Sequence, residues 1–207
     1  MNTTQKWLVG ISSVVVGAIL IQRNRNLSKT KLTLPIGTKD FYKKFYPDAK
    51  KSEIATGVPA LFTLAQAALE SGYGTHAPGF NYFGIKASKS WKGQTQLLKT
   101  WECGASGNPV KDGIKDKILQ IFPPGSPSGA CSNKYSYRVL GSFRKYNNAA
   151  EGFIDHANFL KQNKRYKPAF AYTNNLKQFT EAIAKAGYAT VPGYAKELEK
   201  FESSLTA

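Results

Sequence analysis

The sequence predicts an α+β domain, mostly helical, with one small β hairpin in its middle. Three observations predict it. Apolar residues recur at helical spacing on both flanks of the chain. Between the flanks, Gln94–Trp101 and Tyr137–Tyr146 carry β-prone positions and read as an outgoing and a returning strand. The segment between them, Cys103 to Cys131, holds Pro109, Pro123, Pro124, Pro127 and several glycines, and reads as an irregular insertion at the hairpin tip. No internal repeat is present.

The chain opens with an apolar run. Trp7–Ile21 reads WLVGISSVVVGAILI, 15 residues without a charge. As a helix it would be about 22 Å long, short of the roughly 30 Å hydrocarbon core. That length fits a signal-peptide apolar region or a short membrane anchor. Gln22, Arg23, Asn24 and Arg25 follow where a small-x-small cleavage site would stand, so an uncleaved anchor is the expectation. A buried soluble helix is the alternative. The flanking charge points the other way: Lys6 precedes the run, and Arg23, Arg25, Lys29 and Lys31 follow it. The positive-inside tendency would keep the rest of the chain in the cytoplasm. Residues 1–38 are read as anchor and basic linker, and 39–207 as the folded domain, with an insertion at 103–131.

Asp40–Thr56 has Phe41, Phe45, Ala49 and Ile54 on one side and Gly57 as a stop, with Pro47 as a possible break. Pro59–Gly74 follows, PALFTLAQAALESGYG. Leu61, Leu64, Ala65, Ala68 and Leu69 form a helical stripe, and Phe62 and Ala67 extend it round the other side, as in a helix buried in a core. Pro59 suits the first helical position and Gly72 the position just past the end. After the hairpin, Asn148 and Glu151 resemble a capping box ahead of Phe153, Ile154, Ala157 and Leu160. Leu176, Phe179 and Ile183 mark a further helix stopped by Gly187, and Tyr194, Leu198 and Phe201 mark the last.

Glu70 is the one ionisable group on the Pro59 helix, in its last turn. Poor hydration and the negative end of the helix dipole both disfavour its charge there. The protonated form so favoured is the state a general acid needs. The bland alternative is a carboxylate that reaches solvent as the helix leaves the core.

The 207 residues include 29 Lys and Arg against 13 Asp and Glu, a net charge of +16, with 42% hydrophobic content. That composition excludes a globally disordered chain and points to an anionic partner: nucleic acid, an anionic membrane face or cell-wall polymer. Solubility alone is the plain alternative. Cys103 and Cys131 flank the insertion, and in an oxidising compartment a disulfide would close a loop of 29 residues, stabilising by roughly 3–4 kcal/mol. Free thiols are the alternative. A cysteine nucleophile is disfavoured, since His76 and His156 are both distant in sequence. Two His and two Cys at these spacings form no zinc pattern, and no metal or cofactor is expected.

Several motifs together resemble a known family. They are LAQAALESGYG (Leu64–Gly74), NYFGIKA (Asn81–Ala87), SWKG (Ser90–Gly93), TWE (Thr100–Glu102) and AGYATVPGYAKEL (Ala186–Leu198). They look like the endo-β-N-acetylglucosaminidases of glycoside hydrolase family 73, which include the glucosaminidase domains of flagellar peptidoglycan hydrolases and autolysins. The resemblance runs in order from Lys39 to Leu205. It implies a lysozyme-like fold and hydrolysis of the β-1,4 bond on the N-acetylglucosamine side of the peptidoglycan strand. Residue by residue, it implies that Glu70 is the catalytic acid, Glu102 a second carboxylate on the hairpin, and Tyr188 a catalytic tyrosine. It places Asn81, Tyr82, Phe83 and Tyr194 in substrate binding. Val191 departs from the pattern, standing where many members carry Asp, and the insertion begins directly after Glu102.

Glycosidic cleavage needs a protonated acid at the leaving oxygen and a second group that stabilises the oxocarbenium-like centre or activates water. Inverting, retaining and substrate-assisted routes all remain open at this point. Three functions compete: a cell-wall hydrolase, a non-catalytic glycan-binding or structural module, and a basic nucleic-acid-binding protein. Glu70, Glu102 and Tyr188 together favour the first, and no nucleic-acid motif supports the third. The expectation is a monomeric peptidoglycan hydrolase, anchored through Trp7–Ile21 with its domain in the periplasm or outside the cell. A phage-type lysin delivered to the wall is the alternative.

Overall fold

The computed structural model describes residues 38–189 and 193–206. The expected anchor and Val191 therefore lie outside the described residues. Among the described residues no helix is long and apolar enough to cross a membrane. The chain divides into two compact units, a helical one formed by residues 38–85 and 145–206 and a sheet formed by residues 86–144.

The helical unit begins with α1 (Thr38–Thr56). It continues unbroken through Pro47, whose side chain is exposed, so water can take the Lys43 carbonyl that the proline leaves unbonded. Gly57 ends α1 at φ +82°, a conformation costly for any residue with a Cβ. Helix α2 (Ala60–Ser71) follows, with Pro59 as its N-cap rather than its first helical residue. Gly72 caps its C-terminus in the left-handed region, its N–H bonded to the Ala68 carbonyl. After a short 3₁₀ turn at Pro78–Phe80 the chain leaves for the sheet.

On its return it forms α3 (Ala149–Gln162), a 3₁₀ segment (Lys164–Tyr172) absent from the sequence reading, α4 (Leu176–Lys185) and α5 (Tyr194–Thr206). The expected cap of α3 is present: the Asn148 side chain accepts from the Glu151 N–H at 3.0 Å. The Glu151 carboxylate reaches back to the Asn147 N–H at 3.0 Å. Gly152 on α3 is required by a close approach, because a Cβ there would meet the Phe80 carbonyl oxygen at 2.5 Å.

Two apolar clusters build this unit, and α2 contributes to both. Phe62 and Ala65 join Val58, Ala157, Leu160, Tyr166, Phe179, Ile183 and Leu198. Leu64, Ala67 and Ala68 join Phe41, Ala49, Tyr82, Phe83 and Phe153. Burial on two faces explains the breadth of the α2 apolar stripe. α2 packs against α1 and α5, and α1 also packs against α3.

The sheet has three antiparallel strands in the order β1–β3–β2, one more than the expected hairpin. β1 (Thr95–Gly104) pairs with β3 (Tyr135–Arg144) from Thr95↔Arg144 to Gly104↔Tyr135. The extra strand, β2 (Lys117–Phe122), lies inside the insertion and pairs with the other edge of β3, with a register shift between Ile118 and Gln120. Its KILQIF run carries Ile118, Leu119, Ile121 and Phe122, but the surrounding prolines and glycines masked it in the sequence. Cys103 and Cys131 are disulfide-bonded, Cα to Cα 5.9 Å, so the insertion is closed at its base. Asp112 holds its near end, accepting from the Ala105 and Ser106 amides at 3.1 Å and from the Tyr137 hydroxyl.

Candidate active site

The last turn of α2 brings Glu70 under the first residue of α5. The Tyr194 hydroxyl donates to Glu70 Oε1 at 3.1 Å. The same hydroxyl accepts from Gln66 Nε2 at 2.8 Å. Gln66 lies one helical turn before Glu70, so both side chains project from the same face of α2. The result is a directed chain of donors running from Gln66 through Tyr194 to the carboxyl.

Burial pushes the Glu70 carboxyl from 4.5 up to about 7, and the Tyr194 hydrogen bond pulls modestly the other way because it stabilises the anion. Glu70 is thus desolvated by its neighbours instead of standing free in water. Near neutral pH it holds a proton for a large share of the time, and proton transfer is most effective when the acid's pKa lies near the working pH.

Tyr188 completes an aromatic wall. Its ring stacks on Tyr194 at 5.8 Å and 22°, and meets Tyr166 at 5.9 Å. Both Tyr188 and Tyr194 are pushed well above the ordinary tyrosine value, by burial first and the nearby Glu70 charge second. Both hydroxyls therefore keep their hydrogens and serve as hydrogen-bonding groups.

Behind the wall, His156 Nε2 lies 3.0 Å from the Tyr188 hydroxyl. The imidazole stacks on Phe83 at 3.7 Å and 11°. Burial holds it down to about 3, so it is neutral. Gln66 and His156 have no site role in the sequence reading. Gln66 carried one legible signal, its four-residue spacing to Glu70. His156 sits on the buried face of α3 with Phe153 and Leu160, and looks there like any core residue.

Glu70, Tyr188 and Tyr194 thus come together in the helical unit. Asn81, Tyr82 and Phe83 are placed in the same unit as buried residues. Asn81 folds the loop on itself, donating to the Ile85 carbonyl at 3.0 Å and accepting from the Ile85 N–H at 2.9 Å. Tyr82 packs between Phe45 and Phe153, and Phe83 supports His156.

Glu102 belongs to the sheet unit, opposite Tyr137 in the β1–β3 register. Lys86 bridges it to Asp116, which lies 2.6 Å from the ammonium. Burial works against the Lys86 charge, but the two carboxylates outweigh it and raise its pKa. Among the described residues no group of three or more His, Cys, Asp or Glu is placed to hold a metal ion.

Known proteins resemble this chain in sequence and in fold. A family model described as mannosyl-glycoprotein endo-β-N-acetylglucosaminidase matches residues 46–206. The chain is 31% identical over 171 residues to peptidoglycan hydrolase FlgJ of Vibrio parahaemolyticus, covering 80% of this chain and 46% of that protein. It is 30% identical over 177 residues to the Salmonella typhimurium FlgJ, covering 82% and 47%. The chain therefore spans about half the length of the curated relatives it matches. The solved glycoside hydrolase domain of Salmonella typhimurium FlgJ superposes with a TM-score of 0.59 at 28% identity, covering 82% of this chain and 88% of that one. A peptidoglycan hydrolase from Sphingomonas sp. A1 superposes with a TM-score of 0.54 at 28% identity, covering 81% and 90%. With the family model spanning most of its length, the chain belongs to the glucosaminidase family of glycoside hydrolases.

Proposed function

We propose that this chain hydrolyses peptidoglycan at the β-1,4 bond on the N-acetylglucosamine side of the glycan strand, with Glu70 as general acid. The observation that carries the reading is the environment of Glu70. A carboxyl raised to about 7, fixed at a helix end and held by a tyrosine hydroxyl, is suited to protonating a leaving glycosidic oxygen. The relatives named as peptidoglycan hydrolases support the substrate class. The net charge of +16 suits an anionic wall polymer. Glu102 is the proposed second carboxylate, on the strength of its place in the Thr100–Glu102 motif.

The test is digestion of purified peptidoglycan by wild type and Glu70→Gln, with the released ends reduced and identified by mass spectrometry. Reduced N-acetylglucosamine ends and loss of at least nine-tenths of the rate in the variant are expected. Reduced muramic acid ends would overturn the bond assignment, and a rate in the variant above about a tenth of wild type would overturn the acid. The same proposal places the domain outside the cytoplasm behind a Trp7–Ile21 anchor. Protease shaving of intact spheroplasts removes the domain if that is right, and full protection reverses the orientation.

A further inference from the structure

The Tyr188–His156 hydrogen bond can run in either direction, and the surroundings of the imidazole choose one. His156 is 1% exposed, and burial keeps it neutral, so it carries a single N–H. Its Nε2 faces the Tyr188 hydroxyl at 3.0 Å. Its Nδ1 is buried with no hydrogen-bond partner among the described residues. If the hydrogen sat on Nδ1, the interior would hold an orphaned N–H donor, a rare and costly arrangement. With the hydrogen on Nε2, the orphan is an acceptor lone pair, which interiors tolerate better. Phe83, stacked flat on the ring, holds the imidazole in the plane that aims Nε2 at Tyr188.

We propose that His156 is a positioning residue whose Nε2–H donates to the Tyr188 hydroxyl oxygen, which turns the hydrogen of that hydroxyl outward and makes Tyr188 a dedicated donor to an acceptor oxygen of the substrate. Among the described residues the Tyr188 hydroxyl has no other hydrogen-bond partner, so its hydrogen is uncommitted. The neighbouring hydroxyl differs: Tyr194 spends its hydrogen on Glu70 and its lone pair on Gln66. The two stacked tyrosines thereby divide the work. Tyr194 serves the acid, and Tyr188 serves the sugar. Donation to substrate rests on the hydrolase reading above; the tautomer of His156 does not.

The experiment has two arms. In the first, ¹⁵N-histidine NMR of the unsubstituted protein reads the tautomer directly, with a His76→Gln variant separating the two histidines. The Nε2–H form is expected, and an Nδ1–H form or an imidazolium at neutral pH would overturn the proposal. In the second, His156→Leu, His156→Gln, Tyr188→Phe and the double variant His156→Leu/Tyr188→Phe are compared on soluble glycan fragments, each first checked for native circular dichroism. His156→Leu is expected to lower kcat about tenfold, the scale of one lost hydrogen bond in the transition state, with KM little changed. His156→Gln places an amide N–H near the same point and is expected to restore most of that loss. The double variant is expected to be no slower than Tyr188→Phe. A further fall of similar size in the double variant would show that His156 acts by packing alone and would overturn its role through Tyr188. If instead Glu70→Gln is fully active while the Nε2–H form is present, the hydrolase mechanism falls and the His156 assignment stands.

Discussion

Replacing Glu70 by Gln is expected to make the protein more stable at alkaline pH while it inactivates it. A carboxyl raised from 4.5 to about 7 prefers its neutral form in the folded state. Folding is therefore favoured most below the unfolded value, and that advantage is lost as pH rises through 7. Once Glu70 is fully ionised, the cost of holding its charge is about 3 kcal/mol. Solvent reaches part of this carboxyl, so about 2 kcal/mol is the working figure. Gln carries no charge and can still accept from Tyr194 through its amide oxygen. The variant should gain about 2 kcal/mol at about pH 8.5 and almost nothing at about pH 4, or roughly 4–8 °C in Tm at the higher pH. Thermal and urea unfolding of both proteins at the two pH values measure it. Glu202, which burial also raises to about 7, titrates identically in both proteins and cancels in the difference. A pH-independent difference, or a variant less stable at the higher pH, would refute the claim that burial governs Glu70.

Tyr194→Phe removes the hydrogen bond that favours the Glu70 anion, so the basic limb of the kcat/KM profile should move upward by under about one pH unit; a downward move would contradict the assigned direction. Replacing Cys103 and Cys131 by Ser releases the insertion, with an expected loss of about 3–4 kcal/mol and faster hydrogen exchange of β2 amides before those of α2. Lys86→Met strips Glu102 and Asp116 of the ammonium they share, which should cost about 1–3 kcal/mol by urea unfolding at neutral pH.

The helices were legible because their signals are local. The α2 stripe, the Gly72 cap and the Asn148–Glu151 cap each lie within a few residues of sequence. Phe62 and Ala67, which extend the α2 stripe round its other side, also indicate a helix buried on more than one face. β2 was not legible, because six residues between prolines and glycines become a strand only when the far edge of β3 is present to bond them. At the site, Glu70 stood out as a lone charge, and the family motif carried Tyr188 and Tyr194 with it. Gln66 and His156 did not stand out: their roles depend on contacts 128 and 32 residues away in sequence. Asn81, Tyr82 and Phe83 enter the substrate-binding reading only through the family resemblance, and the packing of Tyr82 and Phe83 on Phe153 of α3 is announced by no local pattern.

The hydrogen bond between Tyr194 and Glu70 spans 124 residues. Until α5 docks, Glu70 lacks the Tyr194 hydroxyl and the share of its burial that α5 supplies. The surroundings of Glu70 are therefore complete only once α5, 124 residues further along the chain, has been made and has docked. The same dependence works in reverse. Local opening of α5, far short of unfolding, admits water to Glu70 and discharges its proton. Thermal inactivation should accordingly precede the loss of helical circular dichroism, and a ligand that clamps α5 should protect catalysis more than it protects the fold.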